Sequence, residues 1–211
     1  YNATGGHFCT DTVRCWYDWP HYKFYVYNPQ TAATSQGGGC TDWYIYRLAE
    51  TYLLRAEAYL WKDNRGQAAI DINAVRARAQ APLLSAGQVT MATLLDERAR
   101  ELYFEEPRKS ELTRMAYVYA QTGKTAPTGK TYSLQNISSN NFWYDWVMLK
   151  NEFYRQGIPT TQNGKYSISP HHILWPVPRS EIEANIDGVI NQNPGYTGAD
   201  KNIAPLTEIV D

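Results

Sequence analysis

The chain has 211 residues, a length that suits one domain with a buried core or part of a larger one. Its net charge of −1 lacks the basic excess that binds nucleic acid, so no nucleic-acid partner is expected. The chain has 17 tyrosines and 7 tryptophans, although only 43% of its residues are hydrophobic. Some aromatic rings are therefore expected outside the core, where they can stack on a ligand.

The first forty residues are rich in aromatic and turn-forming residues. The alternating pattern at residues 22–27 predicts a short strand or an extended edge. An aromatic cluster just before it, closed by Pro20, predicts a loop; it consists of Trp16, Tyr17 and Trp19. Such a cluster either forms a small core beneath a loop or serves as a binding platform, and the sequence leaves both open.

Three cysteines, Cys9, Cys15 and Cys40, have no CxxC spacing and no histidine cluster near them. This pattern argues against a zinc or redox site at the cysteines. The adjacent residues His171 and His172 point in different directions on most backbones, which argues against a metal shared by the two histidines. No metal and no cofactor is therefore expected. The sequence is equally compatible with two arrangements of the cysteines: one disulfide plus one free thiol, or three buried thiols.

Two helices are predicted after the glycine-rich turn at residues 37–39. The first shows apolar residues at three- and four-residue steps, begins at a cap formed by Thr41 or Asp42, and runs to about Lys62. The second ends before Pro82, which cannot continue a helix. Together they have the length of an antiparallel hairpin of the tetratricopeptide type.

A third helix is predicted from a cap at Thr90 to near Pro107, and a fourth from Arg108 to about Ala120. Gly123 is expected to close the fourth helix in a left-handed conformation. The middle of the chain therefore holds two predicted helical hairpins, which need neighbours to cover their remaining faces.

Four charged residues three or four positions apart are predicted to form a stripe of mixed charge along a helix: Arg98, Glu101, Glu105 and Arg108. It is either a solvated face, a catalytic carboxylate pair, or a partly buried network that fixes how helices dock. The apolar residues around it favour the third interpretation, with Arg47, Glu50 or Arg76 as partners.

Residues 123–169 change composition and contain one aromatic helix candidate, Phe142–Tyr154. One stripe of this helix is expected to pack inward; it consists of Phe142, Trp146, Leu149 and Phe153. Trp143 and Tyr144 lie off that stripe, beside Asn141. Planar rings next to amide groups suit a sugar, whose C–H face stacks on a ring while its hydroxyls hydrogen bond.

The last segment contains a rigid extended stretch at residues 175–178, a short helix capped by Ser180, and a turn at residues 193–196. No nucleophile elbow, HExxH, dinucleotide-binding or calcium-loop motif occurs anywhere in the chain. The prominent carboxylates, from Glu97 to Glu105, have arginines within helical reach that hold them ionised. No enzyme activity is expected, and an α-helical glycoside hydrolase is the less favoured alternative.

Four blocks occur in one order: RLAETYLLRAEAY at 47–59, INAVRARA at 72–79, ER..EL.FE..R..EL.R at 97–114, and LWPVPRSEIEAN at 174–185 followed by INQNPGY. In this order they resemble the carboxy-terminal region of the SusD/RagB family of Bacteroidetes surface lipoproteins. The chain departs from the family pattern at four positions near the third and fourth helices: Glu106, Pro107, Lys109 and Glu111.

The resemblance implies a mostly α-helical, SusD-like fold of tetratricopeptide-like hairpins with long irregular loops, forming the carboxy-terminal part of a larger protein. The expected segments are an aromatic loop region at 1–40, two helical hairpins at 41–122, a variable aromatic insertion at 123–169, and a structural strap at 170–211. The rest of the protein, including a lipid anchor, is expected upstream.

The resemblance also implies a function, which is non-catalytic capture of a glycan at the surface of the bacterial outer membrane. The expected partner is a TonB-dependent transporter of the SusC type, to which the glycan is delivered. A peptide-capturing protein of the RagB branch is the alternative among binding proteins. From the residues themselves, the candidate ligand contacts are two clusters: Trp16, Tyr17 and Trp19, and Trp143, Tyr144 and Asn141.

Overall fold

The structure is a computed structural model that describes residues 44–150 and 167–204. The chain forms two compact units, an N-terminal unit, Tyr1–Glu106, and a C-terminal unit, Pro107–Asp211. The described part contains α-helices and 3-10 helices and no β-strand. The α-helices are α1 (Leu48–Trp61), α2 (Arg65–Arg78), α3 (Met91–Glu101), α4 (Arg108–Thr122), α5 (Phe142–Leu149) and α6 (Arg179–Ala184). The predicted mostly α-helical fold is thereby confirmed.

In the N-terminal unit, α1 and α2 pack together as the predicted hairpin, and α3 packs against both. Small residues such as Ala56 and Ala68 are fully buried between the helices, where they allow close approach around Leu53 and Ile72. The start of α3 is as predicted, because the Thr90 hydroxyl accepts a hydrogen bond from the backbone N–H of Thr93 at 3.2 Å. The core of this unit thus lies along the hairpin.

Two predicted helix boundaries in this unit are wrong. Helix α1 begins at Leu48, after Arg47 in extended conformation, whereas the predicted caps lie outside the described residues. Helix α3 ends at Glu101, well before the proline expected to stop it. Beyond this end, Phe104 has a left-handed φ of 63°, which excludes a helix that continues to the proline.

The charged stripe is partly buried, as predicted. Arg47 donates to Glu105 at 2.6 Å and forms an ion pair with Glu101 at 2.7 Å. Arg76 bonds Glu97 at 2.5 Å, which ties α2 to α3. The predicted partner Arg47 is confirmed. Arg76 pairs instead with Glu97, which is not part of the stripe, and Glu50 forms no ion pair among the residues that the structure describes. These pairs fix the docking of the helices.

In the C-terminal unit, α4 packs against α5, and Gly123 closes α4 with a φ of 63°, as predicted. Phe142 and Trp146 of α5 are buried and stack on each other with ring centroids 5.6 Å apart, also as predicted. The expectation for Leu149 is wrong, because this residue is exposed where the described helix ends. The predicted continuation to Tyr154 lies outside the described residues.

The segment at residues 167–204 is attached to α4 and α5. The carbonyl of buried Ile173 accepts hydrogen bonds from Lys109 at 2.8 Å and from Thr113 at 3.3 Å. Helix α6 begins at Arg179 after Pro178, so the predicted cap at Ser180 is wrong by two residues. Among the described helices, none is both long enough and apolar enough to cross a membrane.

Candidate functional site

Trp175 in the C-terminal unit carries a large exposed ring, since this residue is 72% exposed. Its backbone is fixed, because the amide of Asn193 donates to the Trp175 carbonyl at 2.7 Å. An exposed indole ring offers a flat apolar face that a ligand can cover. The ring is therefore a platform held on an anchored backbone.

Lys109 of α4 links this exposed ring to the interior of the unit. Its ammonium lies 4.8 Å from the centroid of the Trp175 ring and 5.4 Å from that of Trp143, distances at which a cation is attracted to an aromatic face. It also donates to the carbonyl of Ile173 at 2.8 Å. Burial lowers the pKa of Lys109 below its ordinary value. The lysine thus sets the position of Trp175 relative to the core.

A cleft of about 650 Å³ begins beside this platform, at Pro176. Most of its wall is apolar, and its rim carries charged and hydroxyl side chains. The residues that shape it include Pro176, Ile182, Val189, Ile190, Tyr196 and Lys201. Its volume falls within the range of about 300–1,000 Å³ that is usual for small-ligand sites.

The wall of the cleft is held by two side-chain amides. The buried Gln192 accepts from the backbone N–H of Val177 at 2.8 Å and donates to the Val177 carbonyl at 2.9 Å. Asn202 in turn bonds both backbone groups of Gln192, at 2.8 and 2.7 Å. This clasp joins three stretches of irregular backbone, so the cleft is formed before any ligand enters.

Tyr196, which lines the cleft, packs against two histidines. The Tyr196 hydroxyl donates to the carbonyl of Leu174 at 2.7 Å, and its ring meets His171 edge to face with centroids 4.9 Å apart. His172 Nδ1 accepts from the backbone N–H of Ser169 at 2.9 Å, which requires that nitrogen to be unprotonated. Burial lowers the pKa of His172, and His171 and Lys109 lower it further.

The ligand contacts predicted from the sequence fall into two groups. Trp16, Tyr17 and Trp19 lie outside the described residues. Trp143 is only 6% exposed, Tyr144 is half-buried, and they lie on α5. For all of these residues, contact with a ligand stays a prediction.

Asn141 has a clear structural role at the start of α5. Its side-chain oxygen accepts from the backbone N–H of Tyr144 at 2.8 Å, and its amide donates to the carbonyls of Ile137 and Pro170 at 2.7 and 2.9 Å. The residue is fully buried and all of these bonds are internal. Contact between Asn141 and a ligand likewise stays a prediction.

Trp175 and Lys109 are the site residues that the sequence prediction missed. Trp175 was assigned only to a rigid extended stretch, although it stands directly before a Pro-x-Pro segment. The prolines at 176 and 178 exclude a helix or a central strand around Trp175 that could cover its ring, and this was the available signal.

The fold and the site define a mostly α-helical protein with an exposed aromatic platform beside a preformed cleft. The chain belongs to the SusD family, whose model matches residues 1–196. It is 32% identical over 156 residues to the starch-binding protein SusD of Bacteroides thetaiotaomicron. The match covers 74% of this chain and 22% of that relative, so the chain spans well under half of the relative's length. No solved structure matches the chain significantly. The predicted family resemblance is thereby confirmed.

Proposed function

We propose that this chain binds an oligosaccharide without transforming it. The observation that carries the proposal is the exposed ring of Trp175 on its anchored backbone. The C–H face of a sugar covers such a ring, while the sugar hydroxyls keep their hydrogen bonds with polar groups beside it. Membership in the SusD family and the similarity to a starch-binding protein support this choice of ligand.

The cleft beside Trp175 extends the proposed site beyond one sugar ring. Its rim offers both donors and acceptors for hydroxyl groups, because Arg179 and Glu183 of α6 form an exposed pair at 2.5 Å. Its wall is already held by the clasp of Gln192 and Asn202. A preformed wall lowers the entropy that binding must overcome, which matters for a shallow site of modest affinity.

In this proposal the buried residues of the site act by positioning. Trp143 holds Lys109 from the interior, and Asn141 starts the helix that carries Trp143. Tyr144 remains a candidate for direct contact. The aromatic cluster at residues 16–19 is proposed as a further platform for the same glycan.

The proposed setting is the surface of the bacterial outer membrane, where the protein passes its glycan to a TonB-dependent transporter of the SusC type. This part of the proposal is supported by the family resemblance alone. Binding of peptides, as in the RagB branch, is the competing outcome of the experiments below.

The test of the proposed site is Trp175→Ala in the full chain, with calorimetric titration of oligosaccharides. A tryptophan side chain carries about 200 Å² of surface, and this residue is 72% exposed. Covering half of that exposed surface removes about 70 Å² from water, worth about 1.8 kcal/mol at about 25 cal/mol per Å². We therefore expect about a twentyfold increase in Kd.

Two further variants make the result specific. Trp175→Phe keeps an aromatic face and is expected to retain much of the affinity. Tyr46→Ala removes an even more exposed ring from the N-terminal unit and is expected to leave Kd unchanged. Equal affinities of the Trp175→Ala variant and the unmodified chain, with both folded, would contradict the site.

A further inference from the structure

A second pocket, of about 290 Å³, lies on the N-terminal unit. It is formed where the residues before α1 meet the ends of α2 and α3. Its lining is almost entirely charged: Tyr44, Arg47, Arg78, Arg100, Glu101 and Glu105. The resulting chemistry differs from that of the largely apolar cleft of the C-terminal unit.

The carboxylates of this pocket are already engaged by arginines. Glu101 is bonded by Arg47 at 2.7 Å and by Arg78 at 2.7 Å, and Glu105 is bonded by Arg47 at 2.6 Å. Both glutamates and Arg47 are largely buried. With three arginines against two glutamates, the lining has an excess of one positive charge.

The positive excess resides on two exposed arginines at the rim. The side chains of Arg78 and Arg100 are 63% and 59% exposed. Each uses only its NH2 group, Arg78 on Glu101 and Arg100 on Glu97. Within the part of the chain that the structure describes, the remaining N–H groups of both guanidiniums have no acceptor. A guanidinium edge with free donors matches the two oxygens of a carboxylate.

An aromatic ring completes the pocket. Tyr44 is about half exposed, and its ring centroid lies 5.9 Å from the guanidinium carbon of Arg47, which holds the ring at the pocket edge. A ring beside guanidinium donors can stack on a sugar while the donors hold an acidic group on that sugar. The volume suits a small ligand, since it is near the lower end of the usual range of about 300–1,000 Å³.

We propose that this pocket is a second binding site, for a uronic acid residue of a glycan, with the sugar carboxylate on Arg78 and Arg100 and the sugar ring on Tyr44. The inference rests on the proposed glycan-binding function, which it deepens by naming an acidic sugar as part of the ligand. The Trp175 platform and the pocket are then separate sites that can be tested separately.

The experiment compares galacturonate, its methyl ester and galactose by calorimetric titration of the full chain. The ester keeps the ring and removes the charge. Galacturonate is expected to bind about tenfold more tightly than the ester, as charge-assisted hydrogen bonds predict. The preference is expected to shrink as salt is raised, because both arginines are exposed to solvent.

Variants locate the binding. Arg78→Gln together with Arg100→Gln is expected to abolish the preference for galacturonate over the ester. This variant is expected to keep its fold, because Glu101 retains Arg47 and Glu97 retains Arg76; circular dichroism checks this. The matched control is Arg65→Gln, an exposed arginine of α2, which is expected to keep the preference.

Two results would overturn the pocket assignment. One is equal affinity for galacturonate and its ester. The other is a preference that survives in the Arg78→Gln, Arg100→Gln variant. If that surviving preference is lost in Trp175→Ala, the carboxylate binds at the platform, and the glycan-binding proposal stands without the pocket. If Trp175→Ala does not weaken the binding of neutral oligosaccharides, the assignment of Trp175 as a binding platform is contradicted. The result for the pocket is then unaffected.

Discussion

Gly195 is the position where a single methyl group is expected to do most damage to the candidate site. It lies in the turn at residues 193–196 with a φ of 90°, which side chains rarely adopt. A Cβ atom added there would lie 2.4 Å from Cγ and 2.6 Å from Cβ of His171. His171 lies in the 3-10 helix Pro170–Ile173, and its Cβ atom is bonded directly to the backbone. The contact can therefore be relieved only if the backbone moves.

The cost of Gly195→Ala has two parts. Left-handed backbone costs an alanine about 1–2 kcal/mol. Insertion of a methyl group into a packed contact adds about 1–3 kcal/mol. We therefore expect a loss of about 2–5 kcal/mol in the free energy of unfolding, together with displacement of the adjacent Tyr196.

Gly198→Ala is the matched control. Gly198 has a φ of 99°, but an added Cβ would meet no atom within 4 Å, so only the backbone cost applies. The effect of the extra methyl group on the unfolded chain is the same in both variants and cancels in their difference. Urea unfolding of the full chain, followed by tryptophan fluorescence, gives both values. Equal losses for the two variants would refute the close contact between Gly195 and His171.

Three further predictions concern stability, each measured by urea unfolding. Leu53→Ala in the buried face of α1 is expected to lower the free energy of unfolding by about 3–4 kcal/mol. The control Leu54→Ala, at an exposed position, is expected to lower it by less than about 1 kcal/mol. Similar losses for the two variants would show that the burial assigned to α1 is wrong. Arg98→Met is expected to cost about 3–5 kcal/mol, since it removes a fully buried arginine that forms an ion pair with Glu106; a neutral or stabilising effect would contradict this. Because the folded-state pKa of His172 lies below its ordinary value of 6.5, the unfolded state takes up a proton first as pH falls. Stability is therefore expected to be complete above pH 6.5 and to decline below it, and His172→Gln is expected to reduce that slope; an unchanged slope would refute the assignment.

Local signals predicted the fold where a single residue decides the backbone. Gly123 ends α4 in a left-handed conformation, and Thr90 caps α3 with its hydroxyl, both as expected. Part of the buried charge network was also predictable, since Arg47 pairs with Glu101 and Glu105 of the predicted stripe. In these cases the local chemistry and the tertiary structure agree.

The errors arise where tertiary contacts override local preference. Helix α1 starts late because Arg47 stays extended while its side chain bonds Glu105, which follows α3 in the chain. Helix α3 ends early at Glu101, and Phe104 beyond it is left-handed, a conformation that no local pattern for a phenylalanine predicts.

The site was predicted only in part for a related reason. The aromatic helix was recognised, yet its Trp143 turned out to be buried, while the exposed ring is Trp175 from a segment distant in sequence. Which of the two tryptophans is exposed depends on how the residues before Trp175 attach to α4, where Lys109 donates to the Ile173 carbonyl and lies near both rings. Periodicity within one helix contains no information on this contact.

The most direct test of the proposed function is affinity electrophoresis of the full chain in gels that contain plant, host or microbial polysaccharides. The account predicts that at least one polysaccharide retards the protein without release of reducing sugar, and that Trp175→Ala removes the retardation. Release of reducing sugar would make the protein an enzyme. Free migration in every gel, combined with heat on titration of peptides, would contradict glycan capture and favour a peptide ligand.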